Sequence, residues 1–397
     1  MMSTITQPGI ERGAPKRVRT KPVQIALTVG AVMVLVAGLA LLSLTLRQSA
    51  AHRDFISYWS TARLLALHHN PYDSAAILKI ENGAGGSYGE PFIMRNPPWS
   101  LFLVAPLGWW SAPIAALLWT MAIIVTALVS VRLLWTDRTR PIPLTALLFA
   151  PVLACAMAGQ SSIFLLLGMA LFFCLERQRP FAAGLAITLL LLKPHLFLPF
   201  WPVLLLDVWR RRQFRVLAGA TVGLLAEIGF ALHADVHVWS HYLIAARGER
   251  ITEQYFPDIS CSLRALIAPN LLWLQMLPTL LCVGWACWLW MRHRQHWDWR
   301  QHGSLLIAAS VLTAPYSWPV DQVLFLPAIL SCCFLASKQK TLVLSTLNLL
   351  AGVVVLRQES LSSPVFLWMA PAWMLWCLWA RAGESRDTSP EPVIQPA

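Results

Sequence analysis

The sequence is poor in charge: only 13% of its 397 residues are Asp, Glu, Lys or Arg. That is about half the share of a soluble domain and excludes an ordinary water-soluble fold. Other absences narrow the reading further. No Cys-x-x-Cys with His partners occurs. Cys155, Cys174, Cys282, Cys287, Cys332, Cys333 and Cys377 lie inside apolar runs, and Cys261 alone falls in a polar loop. Neither a zinc site nor a disulfide framework is indicated. The Gly-rich stretch ENGAGGSYG (Glu81 to Gly89) has no strand before it and no dinucleotide spacing; it reads as a flexible joint. No Asp-x-Asp metal motif and no soluble domain are present. No solenoid repeat, coiled coil or paired internal repeat of the transporter kind is visible.

What the chain has is apolar length. Hydrophobic residues make up 57%, with 20 Trp and 27 Pro, and the mean hydropathy is +0.58. Trp gathers at membrane interfaces and Pro is tolerated in packed spans. Long apolar runs cover 23–46, 112–135, 216–233 and 270–291; shorter ones cover 141–158, 161–175, 181–192, 196–208, 303–315, 319–337, 341–356 and 364–380. A perpendicular helix needs about 20 residues to cross a bilayer, so the shorter runs predict broken, tilted or re-entrant helices. The expected fold is an all-α, polytopic transmembrane bundle of about twelve spans.

The net charge of +12 is a topology signal. The basic residues form short clusters between apolar runs, which gives no reason to expect a nucleic-acid partner. With a cytoplasmic N-terminus and alternating spans, most of the 31 Lys and Arg fall inside, Arg210, Arg211, Arg212 and Arg215 among them, as the positive-inside rule requires. Two long loops, 47–98 and 234–262, fall outside. The basic tail 1–22 precedes a run too long for a signal-peptide core, so 23–46 reads as a retained span. Residues 23–380 form one membrane domain, and 381–397 a disordered tail. This places both termini in the cytoplasm, the chain in the plasma (inner) membrane, and its chemistry on the outer face.

The first long loop contains DFISYWSTARLLALHHNPYD (Asp54 to Asp73). Taken as a helix from Phe55 to His68, it puts Phe55, Trp59, Ala62 and Ala66 on one stripe and Ser57, Thr61 and His68 opposite. That describes an amphipathic helix in the outer interface, ended by Asn70-Pro71. Asp54 is either its N-cap or a general base. Lys193, between two short apolar runs and followed by Pro194 and His195, either snorkels or holds an anion. Arg264 is an interfacial anchor or a bidentate phosphate ligand, and Arg95 before Pro97-Pro98 is a further candidate cation. Asp321, after Trp318-Pro319, is a helix-start acid or a hydroxyl contact. Gln160, after Gly159, joins two helices or hydrogen-bonds a ligand. Glu227 is expected to pair with another span. His233, His237 and His241, near Asp235, recur every four residues, a spacing that puts them on one helix face. Beside Trp239 and Tyr242 they read as interfacial rather than metal-binding.

The Asp54 block resembles the first-loop signature of glycosyltransferase family 87, of the GT-C class and similar to polyprenol-phosphate-mannose-dependent mannosyltransferases. Further segments resemble the family in order: RNPPWSLFLVAPL (Arg95 to Leu107), GQSSIFLLLGMAL (Gly159 to Leu171), LLLLKPHLFLPF (Leu189 to Phe200), CSLRALI (Cys261 to Ile267) and APYSWPVDQVLFLPA (Ala314 to Ala328). Asn96, Ser162 and Pro319-Val320 depart from the family pattern. The resemblance implies a GT-C-type bundle that moves a hexose, mannose first among them, from a polyprenyl-phosphate donor to a glycan or glycolipid acceptor in membrane lipid. It implies Asp54 as general base, inverting the anomeric centre. Lys193, Arg264, His195 and Arg95 are then phosphate ligands, and Asp321, Gln160, Tyr58 and Trp318 sugar or acceptor contacts. No cofactor is implied, and no metal is required if cations hold the phosphate. A secondary transporter or flippase is the alternative for a polytopic chain of this kind.

Overall fold

The computed structural model describes residues 54–136, 143–248, 254–357 and 360–382. Among these every regular element is helical and no strand occurs. In chain order the first eight α-helices are α1 (Phe55–Ala66), α2 (Ser74–Gly83), α3 (Leu101–Val104), α4 (Ala112–Leu134), α5 (Ala150–Ala158), α6 (Ser162–Leu175), α7 (Pro180–Ile187) and α8 (Phe200–Arg211). The rest are α9 (Arg215–Ala234), α10 (Val238–Gly248), α11 (Ile259–Ile267), α12 (Trp273–His293), α13 (Ser304–Leu312), α14 (Leu326–Cys333), α15 (Lys338–Arg357) and α16 (Met369–Arg381). The expected span 23–46, the basic tail, and residues 383–397 of the expected C-terminal tail lie outside the described residues.

Four helices, α4, α9, α12 and α15, are long and apolar enough to cross a membrane. They keep much of their apolar surface unburied: α15 buries only Ala351 and Val355. That is the surface distribution of a helix solvated by lipid. The other apolar runs form shorter or interrupted helices, so a count of about twelve spans does not follow from helix length.

The interruptions have local causes. The helix begun by α7 tightens into a 3-10 turn over Thr188–Leu192 and stops at Lys193, whose φ and ψ are −141° and 71°. Pro194 has no N–H to continue the ladder, and its ring excludes the residue before it from the helical region. A second 3-10 turn, Pro194–Phe197, then leads into α8. Trp318 is extended (φ −97°, ψ 159°) before Pro319 for the same reason, and the 3-10 segment Pro319–Phe325 feeds α14. Gly159, at φ 71°, ends α5 in the left-handed region, which glycine enters without a Cβ clash. The carbonyls left open by the Lys193 break are taken by side chains from the end of the first loop and the turn that follows it. Asn96 Nδ2 donates to the Leu192 oxygen (2.8 Å) and Trp99 Nε1 to the Leu191 oxygen (2.8 Å).

Packing is close where side chains are small. A Cβ on Gly184 of α7 would collide with the Val216 carbonyl of α9, the backbone-to-backbone approach that small residues permit between membrane helices. The first-loop helix departs from expectation. Both stripes of α1 are buried, Phe55, Trp59 and Ala62 on one side and Ser57 and Thr61 on the other, so α1 is a core element rather than an interfacial one. On its polar side Ser57 Oγ donates to the Asp54 carbonyl (2.8 Å) and Ser60 Oγ to Glu81 Oε1 (3.3 Å), while Thr61 Oγ1 is buried without a hydrogen-bond partner among the described residues. The helix ends at Ala66, two residues before His68, which adopts φ 57°. The Gly-rich stretch after it is not a loose joint. Asn82 holds Tyr88 at both backbone groups, at 3.1 and 2.8 Å.

Candidate active site

The chain interruptions meet. Asp54 at the head of α1, Gln160 in the α5–α6 junction, Lys193 at the α7–α8 break, and Trp318 with Asp321 after α13 all line one cavity of about 590 Å³. Non-helical backbone inside a membrane fold is tolerated where it lines a cavity or is covered by protein, and the volume is that of a small-ligand site. Tyr58, Arg95 and His195 line the same space. Eight of the nine site candidates read from the sequence therefore converge. The ninth, Arg264, is not among the lining residues.

Asp54 does not cap its helix with its side chain. Its carboxylate instead accepts a bond from Gln160 Nε2 at 2.7 Å. The same amide accepts from the Tyr58 hydroxyl at 3.0 Å, and Tyr58 also lies 3.2 Å from Ser161 Oγ. Gln160 thus orients one carboxylate oxygen of Asp54 and is itself oriented by Tyr58.

Lys193 and Asp321 do not act apart, as the sequence reading has them. Lys193 Nζ donates to Asp321 Oδ1 at 2.7 Å and to Ser162 Oγ at 3.0 Å. Ser162 Oγ donates to the same carboxylate oxygen at 2.6 Å, and the Trp318 amide donates to Asp321 Oδ2 at 2.9 Å. Lys193 is 9% exposed and Asp321 1%, so each neutralises the other in a poorly solvated place. Asp321 is a helix-start acid that accepts from Trp318, and it also lines the cavity. Ser162, a departure from the family pattern, is the bridge between the two charges.

The other phosphate-ligand candidates are held differently. Arg95 Nη1 donates to Gln254 Oε1 at 2.7 Å, and His195 stacks on Tyr316 with ring centroids 3.8 Å apart. Arg264 turns back on the end of its own helix. It donates to the Pro269 carbonyl at 3.2 Å and lies 4.0 Å from Cys261 Sγ; a last-turn guanidinium meets open carbonyls there. The His series does not share one helix. The chain breaks at Asp235 (φ −153°), so His233 ends α9 while His241 sits in α10 with Nδ1 2.7 Å from Asp235 Oδ2. No group of three or more His, Cys, Asp or Glu suited to a metal occurs among the described residues. Glu227 of α9 meets Thr188 at the foot of the α7 break.

Sequence reasoning missed two buried acids beside the cavity. Glu81 is fully buried, accepting from Ser60 Oγ and from the Phe92 amide at 3.0 Å. Burial lifts its carboxyl to about 7. Asp258 caps α11 through the Cys261 amide (2.7 Å) and accepts from the Ser317 amide (2.8 Å). Burial lifts it also to about 7. An isolated acid in a loop carries no periodic signal; for Asp258 the cue is its place just before an apolar helical stretch.

The description of glycosyltransferase family 87 matches residues 94–315, more than half the chain. The chain belongs to glycosyltransferase family 87. It is therefore a glycosyltransferase, and its long apolar helices make it one of the membrane. The matched stretch holds Arg95, Gln160, Lys193, His195 and Arg264. It begins after Asp54 and Tyr58 and ends before Trp318 and Asp321, so the cavity draws this family member's own flanks into the matched core. No curated protein and no solved structure matches the chain.

Proposed function

We propose that this cavity moves a hexose, with mannose the first candidate, from a polyprenyl-phosphate donor to a hydroxyl of a glycan or glycolipid acceptor at the outer membrane face. The single observation that carries the reading is the cavity itself. In a family 87 glycosyltransferase, a carboxylate held by Gln160 faces the same space as Arg95, Lys193 and His195. In the reaction the acceptor oxygen forms a bond to the anomeric carbon as the bond to the phosphate oxygen breaks. The electron pair leaves on the lipid phosphate, and the acceptor proton passes to Asp54. General-base assistance of this kind contributes roughly 10²–10⁴-fold. Arg95 stands where it can take the developing phosphate charge, and His195, which burial holds well below the usual imidazole range and so keeps neutral, stands where it can hydrogen-bond the phosphate. Lys193 contributes a positive charge already shared with Asp321. Cations in these places make a metal unnecessary to the proposal.

Two further observations support the outer face and the donor. The cavity walls come from both long loops, Asp54, Phe92 and Arg95 from the first and Tyr242, Gln254 and Phe256 from the second. Positive-inside counting puts both loops outside. The sequence has no Asp-x-Asp motif for a metal-bound nucleotide sugar.

The test is a transfer assay on purified protein in lipid, with β-linked polyprenyl-phosphate mannose and glucose and the matching nucleotide sugars as donors. Product from at least one lipid-linked donor, α-linked and absent with nucleotide sugars, is expected. Retention of the β configuration would overturn inversion, and solute flux across vesicles without transfer would favour the transporter reading.

A further inference from the structure

The turn Tyr316–Trp318 forms one wall of the cavity, and its two inner amides are each held by a buried carboxylate. Asp321 takes the Trp318 N–H at 2.9 Å and Asp258 the Ser317 N–H at 2.8 Å. Asp258 belongs to a different element. Its other oxygen caps α11 through Cys261 N at 2.7 Å, and its own amide donates to the Phe256 carbonyl at 2.8 Å. The side chain is 5% exposed. One carboxylate thus pins the head of α11 to the turn after α13 across 59 residues of chain.

What is pinned faces the site. Phe256 packs on Tyr316 and Trp318 with ring centroids 5.2 and 4.9 Å away, and all three line the cavity. Tyr316 in turn stacks on His195. Two residues upstream of Phe256, Gln254 holds the Arg95 guanidinium. The aromatic wall and the orientation of one candidate phosphate cation therefore depend on where residues 254–258 sit. Asp258 does not itself line the cavity.

We infer that Asp258 is a positioning residue that sets the substrate-binding wall Phe256–Tyr316–Trp318 and the Gln254–Arg95 contact, and through them the affinity for the sugar-phosphate end of the donor. This rests on the transferase reading of the cavity. A buried carboxyl group that accepts one backbone N–H at each oxygen is a two-point clamp, and removing it leaves both buried amides unpaired, which costs more than a simple hydrogen bond. Losing it frees the Ser317 amide of the turn and the Cys261 amide at the head of α11, and lets the wall part without touching Asp54.

The test compares wild type, Asp258→Ala and Asp258→Asn in lipid nanodiscs by two readouts. The first is hydrogen–deuterium exchange of peptides covering 254–262 and 314–319, which needs no activity. The second is the donor KM and the kcat for polyprenyl-phosphate sugar. Asp258→Ala is expected to speed exchange in both peptides and to raise the donor KM roughly tenfold, with kcat within about threefold of wild type. Asp258→Asn, which keeps one acceptor oxygen, is expected to recover part of the KM loss. Unchanged exchange in Asp258→Ala would overturn the clamp. Faster exchange with an unchanged KM, or an equal fall in kcat and kcat/KM, would overturn its role in donor binding. If wild type transfers no sugar from any lipid-linked donor, the transferase reading fails, and the exchange data alone decide whether Asp258 holds the wall.

Discussion

Asp54 matters because of what its side chain is not used for. A residue at the head of a helix commonly bonds the first amides with its side chain. Here the Asp54 carboxylate turns instead to Gln160, in the cavity. Glu81 shows the opposite use of a buried acid, as an internal tie between α1 and the Phe92 segment of the cavity wall. Its titration gives a signed prediction. In the unfolded chain the carboxyl ionises near its ordinary 4.5, and in the folded protein near 7. Between those values the folded state holds the proton more firmly. The stability this confers is complete below pH 4.5 and is lost as the pH rises through 7. Glu81→Gln should remove that component. Its melting temperature in detergent should vary less between pH 5 and 8 than that of wild type, by a few degrees. A variant curve parallel to wild type would show that Glu81 does not titrate in this window. Ser60 and Phe92 bond the group directly, and Tyr88 is the titratable side chain facing it.

At the scale of elements, broken helices make the site. The Lys193–Asp321–Ser162 cluster joins the α7–α8 break, the head of α6 and the turn before α14. Removing one member of a buried pair leaves a charge without its partner, which costs about 3–5 kcal/mol, whereas replacing both by apolar residues costs much less. Lys193→Met and Asp321→Leu should each lower thermal stability in detergent sharply, and the double variant should recover much of the loss. Additive losses would show that the two charges do not depend on each other. The breaks themselves are legible in the sequence. Pro194 and Pro319 fix where Lys193 and Trp318 leave the helix, and Gly159 marks the end of α5. Their convergence is not legible, since Lys193 and Asp321 are 128 residues apart. The burial of α1 was hidden for a related reason. Its Ser and Thr stripe reads as water-facing, yet small hydroxyls bond inside a core as readily as outside it. Arg264 misled because a cation at the start of an apolar run looks like a ligand until the end of its own helix claims it.

At the scale of the molecule, an all-helical membrane fold gathers two acids, two cations and the aromatic and amide side chains of both long loops and three internal breaks into one cavity. The composition announces the lipid solvent and the helical class. The number of crossings is harder to read, because several runs are too short to cross upright and bend at prolines. The central claim is that the Asp54 carboxylate takes the acceptor proton. It is tested most directly by sugar transfer from a polyprenyl-phosphate donor with Asp54→Asn against wild type, in lipid, at matched melting temperature. Asn keeps the size and the contact distance to Gln160 but cannot accept the proton, so the rate should fall by roughly 10²–10⁴-fold with the donor KM little changed. A folded Asp54→Asn enzyme that transfers sugar at close to the wild-type rate would contradict the account.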